Sequence, residues 1–572
     1  MRLFTLNCIF IVMTIKQKLI EYLNKNLDID HEIISRNLVR QENPELGHFS
    51  LRCFALSSDF SGKSPQEIAK MILEKLDAAP KFFEVKLAGP YLNFYIKEDF
   101  WAQEVLKNIK KNLVPQKKKM SGPIVLDFSS PNIAKPFHLG HLRSTVIGNA
   151  LRNLFDFAGH KTIAINHLGD WGTQFGMLGL AWKKWGSGKF SAKIPLDKLF
   201  ELYIKIHSEM AEDPKIIEEA RAWFKKLEEG NSEANKFWQI AKAVSLKEFE
   251  KIYKRLKIKF NATVGESFYI GQIPSLEKTL LKKNLLQESL GAKIISLGDA
   301  LPPFIFKKSD QSSLYDTREL AAAIYRYEKY KFEKMIYVVG APQKTHFQQL
   351  LAVLEKLGFS WWQKCAHVDF GHISLLEGAM STRKGRVIFL EDVLNESVEK
   401  VKKIIEEKNP SLPKKDLVAE AVGIGAIIFY DLERNRAKDY VFDWNLMLNF
   451  DGHSGPYVQY TYARIQSLLK KTKKYGQKNS SAGINDEISL KILSTLDEFQ
   501  EAINDSINSY QPSILAQYVL KLADAFNEFY EKNKINGEKE EIAESRRALA
   551  NATAQTIKTC LKILGLETPE RL

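Results

Sequence analysis

Cysteine is scarce in this sequence, and the few cysteines stand far apart. The chain has four, Cys8, Cys53, Cys365 and Cys560, and no C-x-x-C pair. Without paired spacings, neither a cysteine-ligated zinc site nor a disulfide framework is expected. The sequence therefore predicts a protein of a reducing compartment, with no structural metal.

Long hydrophobic runs are lacking as well. The apolar stretch at the beginning, Leu3–Met13, has eleven residues, whereas a bilayer span takes roughly 20. It carries no small-residue cleavage pattern of a signal peptide, so no membrane association is expected. Met13 opens a better soluble start, TIKQKLIEYLNKN. We expect residues 1–12 to result from a misassigned start, with translation beginning at Met13 and the first domain at Thr14, which intact-mass measurement of the native protein would test.

Length and charge indicate a large, basic, multidomain protein. At 572 residues the chain is too long for a single core, so three or four domains are expected. Hydrophobic residues make up 45% of the chain and aromatic residues 11%, which is ample for folded cores. Lys and Arg number 83 against 69 Asp and Glu, a net charge of +14 that favours a polyanionic partner. Many soluble proteins are basic, so charge alone does not identify that partner.

A strand–helix–strand pattern marks the centre of the chain. Pro123–Phe128 is a short apolar run typical of a buried strand, and Lys161–Asn166 is another. Between them, apolar residues recur at helical spacing from Leu142 to Phe155. This order predicts a right-handed crossover in a parallel sheet, with a ligand beyond the carboxyl ends of the strands.

Two histidines flank a Leu-Gly pair where that helix begins. His138 and His141 offer compact donors, Gly140 lets a ligand come close, and the helix N-terminus favours phosphate. In a chain with eleven histidines, an isolated HxxH is more often a chance pair than a site. The surrounding residues decide between the two interpretations.

The run SPNIAKPFHLGHLRSTVIG, which contains this HLGH, resembles the HIGH signature of class I aminoacyl-tRNA synthetases in its arginyl-tRNA synthetase form. A second segment, GAMSTRKG at Gly378–Gly385, resembles the KMSKS loop in the arginyl form KMSTRKG. Ala379 replaces the first lysine of that loop, and Lys135 is expected to supply the missing charge, as in members of the family that lack it. The resemblance implies catalytic roles for one set of residues: His138, Gly140, His141, Lys135, Arg383 and Lys384. It implies ATP contacts for a second set: Pro131, Asn132, His138, His141, Met380 and Ser381.

Other segments resemble the arginine pocket of the same family. Asn132 and Gln343 are expected at the amino-acid end of the substrate, and Glu266, Tyr315 and Glu319 around its guanidinium. A guanidinium needs carboxylate and carbonyl acceptors in fixed geometry. Glu319 stands where the family usually has Asp, so the charge is kept but the carboxylate lies one methylene further out. HLGDWGTQFG is similar to the family too, and its Asp170, Trp171 and Gln174 are expected to shape the region of the tRNA-terminal adenosine or of the substrate, without individual roles.

The resemblance covers the chain from Thr14 to its end and implies an α/β multidomain protein. A small α+β N-terminal domain that contacts the tRNA elbow is expected at 14–110, with ENPELGHFS and AGPYLNF as its motifs, although His48 and Phe49 replace the usual Asp and Tyr. A doubly wound, Rossmann-type catalytic domain follows at 120–390, with a helical insertion at about 183–286. A helical connecting segment at 391–452 precedes an all-α anticodon-binding bundle at 453–572.

The expected function is arginine–tRNA ligation by a cytoplasmic, monomeric enzyme. ATP with Mg²⁺, L-arginine and tRNA(Arg) are the expected substrates, and no resident metal is needed. Two alternatives stay open at this point: another class I synthetase or nucleotidyltransferase, and a non-catalytic RNA-binding paralogue. ENPELGHFS and the acidic pocket oppose the first, and the intact HLGH opposes the second.

Overall fold

The computed structural model describes residues 13–572 except for short segments. Those segments are 28, 42, 58–59, 61, 77–81, 115–120, 187–189, 192, 311, 375–387 and 472–481. The apolar start, residues 1–12, also lies outside the described residues.

The first domain is a four-stranded antiparallel sheet covered by helices. Its strands hydrogen-bond in the order β1, β2, β4, β3. Every fourth residue from Ile15 to Leu27 is buried, so the first helix presents one apolar face to this sheet. The elements are α1 (Ile15–Leu27), α2 (His31–Asn37), β1 (Leu38–Arg40), β2 (Phe49–Arg52), α3 (Pro65–Lys75), β3 (Phe83–Ala88), β4 (Tyr91–Ile96) and α4 (Glu98–Asn112).

His48 and Phe49, the two departures from the family pattern, help to hold this domain together. Nδ1 of His48 accepts a hydrogen bond of 2.8 Å from the Ile96 N–H, and its ring lies 4.7 Å from that of Trp101. Phe49 is fully buried beneath the Arg40 guanidinium, 4.7 Å from its ring centroid. Both side chains therefore serve packing within the domain.

The central domain is built on a five-stranded parallel sheet, as predicted. Its strands lie in the order β12, β11, β5, β6, β7. The chain runs from β5 outward to β6 and β7, and then crosses back to add β11 and β12 on the other side of β5. The chain changes direction between the neighbouring strands β5 and β11, and the carboxyl ends of these two strands form the topological switch point where such sheets bind ligands. The sheet and its first helix comprise β5 (Ile124–Asp127), α5 (Leu139–Phe157), β6 (Thr162–Leu168), β7 (Ala262–Gly265), β11 (Lys334–Val338) and β12 (Cys365–Val368).

Alternate residues of each strand enter different cores. On β5, Leu126 packs into the core that contains α5, whereas Val125 packs into the core on the opposite face. Helices therefore cover both faces, which is the doubly wound arrangement expected. The second face is covered by α10 (Ile273–Lys282), α11 (Tyr315–Tyr330) and α12 (Lys344–Lys356), beside a small antiparallel sheet of β8 (Gln287–Ser289), β9 (Ala292–Ile295) and β10 (Phe304–Lys307).

A helical section separates β6 from β7. It comprises α6 (Thr173–Trp185), α7 (Leu196–Glu212), α8 (Lys215–Glu228) and α9 (Ser232–Arg255). β7 lies inside the range 183–286 that the sequence marked as an insertion, yet it pairs in parallel with β6. The helical section therefore ends at Arg255, and the residues after it belong to the central sheet.

Helices dominate the remainder of the chain. The connecting part contains β13 (Ile373–Ser374), α13 (Leu390–Lys408), α14 (Lys415–Leu432), β14 (Tyr440–Val441) and α15 (Trp444–Met447). The bundle contains α16 (Gly455–Lys470), α17 (Glu487–Asp497), α18 (Phe499–Ser509), α19 (Pro512–Lys532) and α20 (Glu540–Leu564). Within the described residues, no helix combines the length and apolar character that crossing a bilayer demands.

The first domain packs against this bundle. Oδ1 of Asp497 on α17 accepts a hydrogen bond of 3.1 Å from the Ile15 N–H, and its Oδ2 lies 3.1 Å from Nη2 of Arg40. Both side chains of this ion pair are largely buried, so the two ends of the sequence meet in one interface.

Candidate active site

The histidine pair builds the N-terminus of α5. Nδ1 of His138 accepts a hydrogen bond of 3.1 Å from the Gly140 N–H, and Nδ1 of His141 accepts one of 3.2 Å from the His138 N–H. The two rings lie against each other at a tilt of 32°, with centroids 3.7 Å apart. A Cβ on Gly140 would lie 2.9 Å from the His138 ring, so glycine is required for this close approach. In both neutral rings, Nε2–H is then the free donor.

Burial keeps both imidazoles uncharged at neutral pH. Burial, with the nearby Lys135 charge, lowers the pKa of His138 to about 4. Burial, followed by His138 and Lys135, holds the pKa of His141 well below its usual range. Neutral rings that donate through Nε2–H suit the binding of anionic oxygens better than proton transfer.

The backbone before these histidines is strained. Ser129, Ser130 and Ala134 have φ angles of 73°, 47° and 64°, in the left-handed region that side chains disfavour. Hydrogen bonds hold the conformation: the Ser129 N–H donates to Oγ of Ser144 at 2.9 Å, and the Ala134 N–H donates to Oγ of Ser245 at 2.7 Å. Left-handed residues cluster at functional sites, and this loop carries Pro131 and Asn132.

Lys135 lies within the same region. Its Nζ is 4.4 Å from the ring centroid of Tyr203, which comes from α7 of the helical section. Its charge also lowers the pKa values of His138 and His141, so the ammonium group acts electrostatically on the histidine pair.

The loop and the end of β6 join at Asn132. Its backbone pairs with Gly169, and a Cβ on Gly169 would lie 1.8 Å from Oδ1 of Asn132. Gln343 lies at the carboxyl side of β11, where it precedes α12 with an exposed side chain. Both amide side chains therefore stand at the same edge of the sheet.

The three residues predicted for the guanidinium pocket come together at this edge. Glu266 follows β7, and Tyr315 and Glu319 lie one turn apart on α11. Glu266 is 7% exposed and Glu319 is 1% exposed. Burial, then the charges of Glu319 and Glu266, raise the pKa of the Tyr315 hydroxyl well above its usual value. A neutral phenol therefore faces two buried acids.

Each acid of this pocket lies beside a basic side chain. Nε of Arg318 lies 2.6 Å from Oε2 of Glu266, and Nε2 of His167 lies 2.6 Å from Oε1 of Glu319. Arg326 is fully buried, with Nη2 2.8 Å from Oδ2 of Asp127 and Nη1 4.0 Å from Oε2 of Glu319.

These partners have opposite net effects on the two glutamates. Burial raises the pKa of Glu319, but the charge and hydrogen bond of His167, together with Arg326, outweigh it and set that pKa at about 2. For Glu266, burial outweighs the Arg318 charge, and the pKa is raised.

Sequence reasoning missed these three cations. Arg318 stands within LYDTREL and His167 opens HLGDWGTQFG, so both lie in motifs already singled out. Arg326 follows Glu319 by seven residues, two helical turns on the same face of α11, and this spacing was the available signal.

Asp170, by contrast, serves the framework. It is fully buried, with Oδ2 2.6 Å from Nζ of Lys242 on α9, and both its carboxylate oxygens accept hydrogen bonds from Ser267. Trp171 packs edge-on against Phe224 and Trp238. Asp170 therefore fixes the turn after Glu266, and Trp171 joins the helical section, whereas Gln174 is half-buried on α6.

The second phosphate motif lies outside the described residues, with Ala379, Met380, Ser381, Arg383 and Lys384. The segment that follows it is nevertheless hydrogen-bonded to the first motif. The Leu139 N–H donates to the Ile388 carbonyl at 3.0 Å, and the Leu390 N–H donates to the Phe137 carbonyl at 2.9 Å. The chain from Ile388 onward therefore lies beside the histidine pair.

Comparison with known proteins identifies the family. The model of the class I (R) tRNA synthetase catalytic domain matches residues 102–444. An arginine–tRNA ligase of Halothermothrix orenii is 44% identical over 568 residues, covering 97% of this chain and 99% of that protein. The chain belongs to the arginyl-tRNA synthetase family. The family's N-terminal domain model matches 13–96, and the DALR anticodon-binding domain model matches 458–572.

Other arginyl-tRNA synthetases agree. The Clostridioides difficile arginine–tRNA ligase is 43% identical over 550 residues, covering 95% of this chain and 97% of that protein. The Plasmodium falciparum arginyl-tRNA synthetase structure aligns with a TM-score of 0.80 at 25% identity, covering 99% of this chain and all of that one. The Thermus thermophilus arginyl-tRNA synthetase shares the fold, with a TM-score of 0.84 at 23% identity, covering 98% of this chain and all of that one. The predicted family and architecture are therefore confirmed.

Proposed function

We propose that the strand ends around the switch point activate L-arginine with ATP and transfer it to tRNA(Arg). Arginine–tRNA ligation is the activity of the family to which the chain belongs. One observation supports this placement of the site: the neutral donor pair His138 and His141 and the buried acids Glu266 and Glu319 occupy the same edge of one sheet. The donors suit a triphosphate, and the acids suit a guanidinium.

ATP is proposed to lie over the N-terminus of α5. His138 and His141 hold phosphate oxygens through Nε2–H, Gly140 allows the approach, and Lys135 contributes positive charge. Pro131 and Asn132 line the nucleotide side. From the second motif, Met380 and Ser381 contact ATP, and Arg383 and Lys384 stabilise the charge that develops on pyrophosphate.

Arginine is proposed to bind between α11 and the loop of residues 129–134 that precedes the histidine pair. Asn132 and Gln343 hold its amino-acid end, and Glu266, Tyr315 and Glu319 surround its guanidinium. A buried site built to pair a charged fork rejects uncharged analogues because its acids would then be left unpaired.

The proposed reaction has two steps. A carboxylate oxygen of arginine attacks the α-phosphorus of ATP, which forms arginyl-adenylate and releases pyrophosphate. The 2′ hydroxyl of the terminal adenosine of tRNA then attacks the arginyl carbonyl carbon and displaces AMP. Positioning and charge stabilisation accelerate both steps, so no protein nucleophile is required.

Mg²⁺ is proposed to arrive with ATP as part of the substrate complex. The described residues contain no group of three or more His, Cys, Asp or Glu arranged to hold a metal. The triphosphate oxygens would be its ligands, which agrees with the way Mg²⁺ is usually bound at nucleotide sites.

The bundle is proposed to bind the anticodon of tRNA(Arg). Tyr460 and Tyr530 are 39% and 41% exposed, and the Arg464 guanidinium lies 4.9 and 5.2 Å from their ring centroids. Exposed aromatic rings beside a cation are typical of surfaces that stack unpaired bases. Tyr462 and Ile465 of the same helix are buried and serve packing.

The remaining proposals concern organisation. The domain boundaries are proposed at 14–110, with the tRNA elbow as its contact, 120–390, 391–452 and 453–572. The enzyme is proposed to act as a cytoplasmic monomer.

ATP–pyrophosphate exchange with each amino acid, with and without tRNA(Arg), tests the function. We expect exchange with arginine only, and only when tRNA is present, as the family resemblance implies. Exchange driven by lysine or glutamine, or none with any amino acid, would reject the proposal.

A further inference from the structure

The acidic pocket contains one more carboxylate than guanidinium. Its buried carboxylates are Asp127, Glu266 and Glu319, and its buried guanidiniums are Arg318 and Arg326. Arg318 pairs with Glu266, and Arg326 lies closest to Asp127. Glu319 is therefore the acid left over, because Arg326 lies 4.0 Å from it and 2.8 Å from Asp127.

His167 is the group that faces this remaining acid. Its Nε2 lies 2.6 Å from Oε1 of Glu319, and the side chain is 5% exposed. Both ring nitrogens are buried and have no hydrogen-bond partner among the described residues, so the contact with Oε1 of Glu319 is one of charge. An imidazole can therefore supply the missing cation by taking up one proton.

We propose that His167 is a substitute cation, which is protonated in the free enzyme and gives up its proton when the substrate's guanidinium takes its place beside Glu319. One imidazolium proton passes to solvent as the guanidinium enters, and the neutral ring stays beside Oε1 of Glu319. Oε2 of Glu319 then accepts from the guanidinium. The pocket holds the same net charge before and after binding, and the inference rests on the proposed role of Glu319.

The surrounding groups favour the protonated ring in the absence of substrate. Glu319 and Arg326 face it from α11, Asp127 from β5, and Tyr269 and Glu266 from the turn after β7, while His346 on α12 acts on Glu319. Burial lowers the pKa of His167, but Glu319 outweighs it, and the pKa is raised above its ordinary value. Asp316 and His346 pair separately at a partly exposed edge.

The exchange would also sharpen specificity. Only a ligand that brings its own positive charge next to Glu319 can replace the imidazolium without leaving a buried acid uncompensated. Citrulline has the shape of arginine without its charge, so it should neither displace the proton nor bind.

Calorimetric titration of the full chain saturated with tRNA(Arg) tests this inference. Arginine is titrated at several pH values, each in two buffers of different ionisation enthalpy, which gives the number of protons released. At pH values below the pKa of His167, we expect arginine binding to release about one proton. In the same range the Kd for arginine should fall by about tenfold for each unit by which the pH rises.

His167→Gln keeps a neutral donor of similar reach and should abolish both effects while still binding arginine. The control His31→Gln removes an exposed histidine on α2 and should behave as the parent protein. Arginine binding without proton release, or undiminished release in His167→Gln, would overturn the inference and leave the proposed function standing. No arginine binding at any pH would reject both.

Discussion

Arg143 on α5 and Asp431 on α14 form a buried ion pair, with Nε 2.9 Å from Oδ1 and side chains 1% and 0% exposed. Nη1 of Arg143 also donates to the carbonyls of Gly371 and Lys438, at 2.8 and 2.9 Å. Gly371 precedes β13, the strand that leads into the second phosphate motif. One guanidinium thus fixes the histidine-bearing helix relative to the base of that motif.

We expect Arg143→Met to destabilise the protein by about 3–5 kcal/mol, since it leaves the buried Asp431 carboxylate without its counter-charge and removes the donor to two carbonyls. Asp431→Asn should cost less, because burial already raises the pKa of Asp431 and so disfavours its charge. Urea unfolding measures both. Arg36→Met, which breaks the exposed pair with Glu32, is the control and should change stability by less than about 0.5 kcal/mol. Equal losses for all three variants would contradict this expectation.

Gly169→Ala should impair arginine use, because its Cβ would displace Oδ1 of Asn132. We expect kcat/KM for arginine in pyrophosphate exchange to fall by at least about tenfold, the effect of a substrate-positioning group moved by roughly 1 Å. Gly271→Ala is the matched control, since nothing lies within 4 Å of its Cβ position. Similar losses in both variants would show that the close approach at Asn132 is unimportant.

Lys135→Ala should lower the activation rate by roughly 10- to 1000-fold, the range for removal of a charge-stabilising group. The variant tests whether Lys135 compensates for Ala379. Lys205→Ala provides the comparison, because Nζ of Lys205 lies 4.4 Å from the Trp185 ring, as that of Lys135 does from Tyr203. An unchanged exchange rate in Lys135→Ala would refute the compensation.

Glu319→Gln should raise the KM for arginine by about 10- to 100-fold, because it removes a charge-assisted hydrogen bond of about 1.5–3 kcal/mol. The KM for ATP should stay close to that of the parent enzyme, so measuring both constants separates a pocket defect from general damage. If neither constant changes, Glu319 does not contact the substrate.

Stability should decrease as pH falls from about 6.5 toward 4. Burial lowers the pKa values of both His48 and His138 to about 4, so the unfolded chain binds protons in this window that the folded chain does not. His48→Gln should make the pH dependence of the unfolding midpoint shallower. His453→Gln, an exposed position, should leave its slope unchanged, and an identical slope in all three proteins would exclude this origin.

The elements were easier to predict than the pocket. β5 and β6 follow from apolar runs, and α5 from helical spacing, because these signals are local. Arg326 and Asp127 are 199 positions apart in sequence, and only the three-dimensional fold pairs them. Local patterns therefore found the acids near the substrate but not the cations that balance them.

β7 shows the same limit in the architecture. Its four residues, Ala262–Gly265, are too short to stand out beside the long helices that precede it. Pairing with β6 over the pairs Ile165–Ala262 to Leu168–Gly265 makes it a strand of the main sheet. Tertiary pairing, which periodicity does not report, decides such elements.

The contact of Ile15 and Arg40 with Asp497 has a consequence for synthesis on the ribosome. Ile15 and its acceptor are 482 positions apart. At roughly 5–20 residues per second, the first domain, which ends at Asn112, would wait about 20–80 s for Asp497. During that time Arg40 lacks the carboxylate of Asp497, so the surface of the nascent first domain that faces the bundle stays uncovered until nearly nine-tenths of the chain exists.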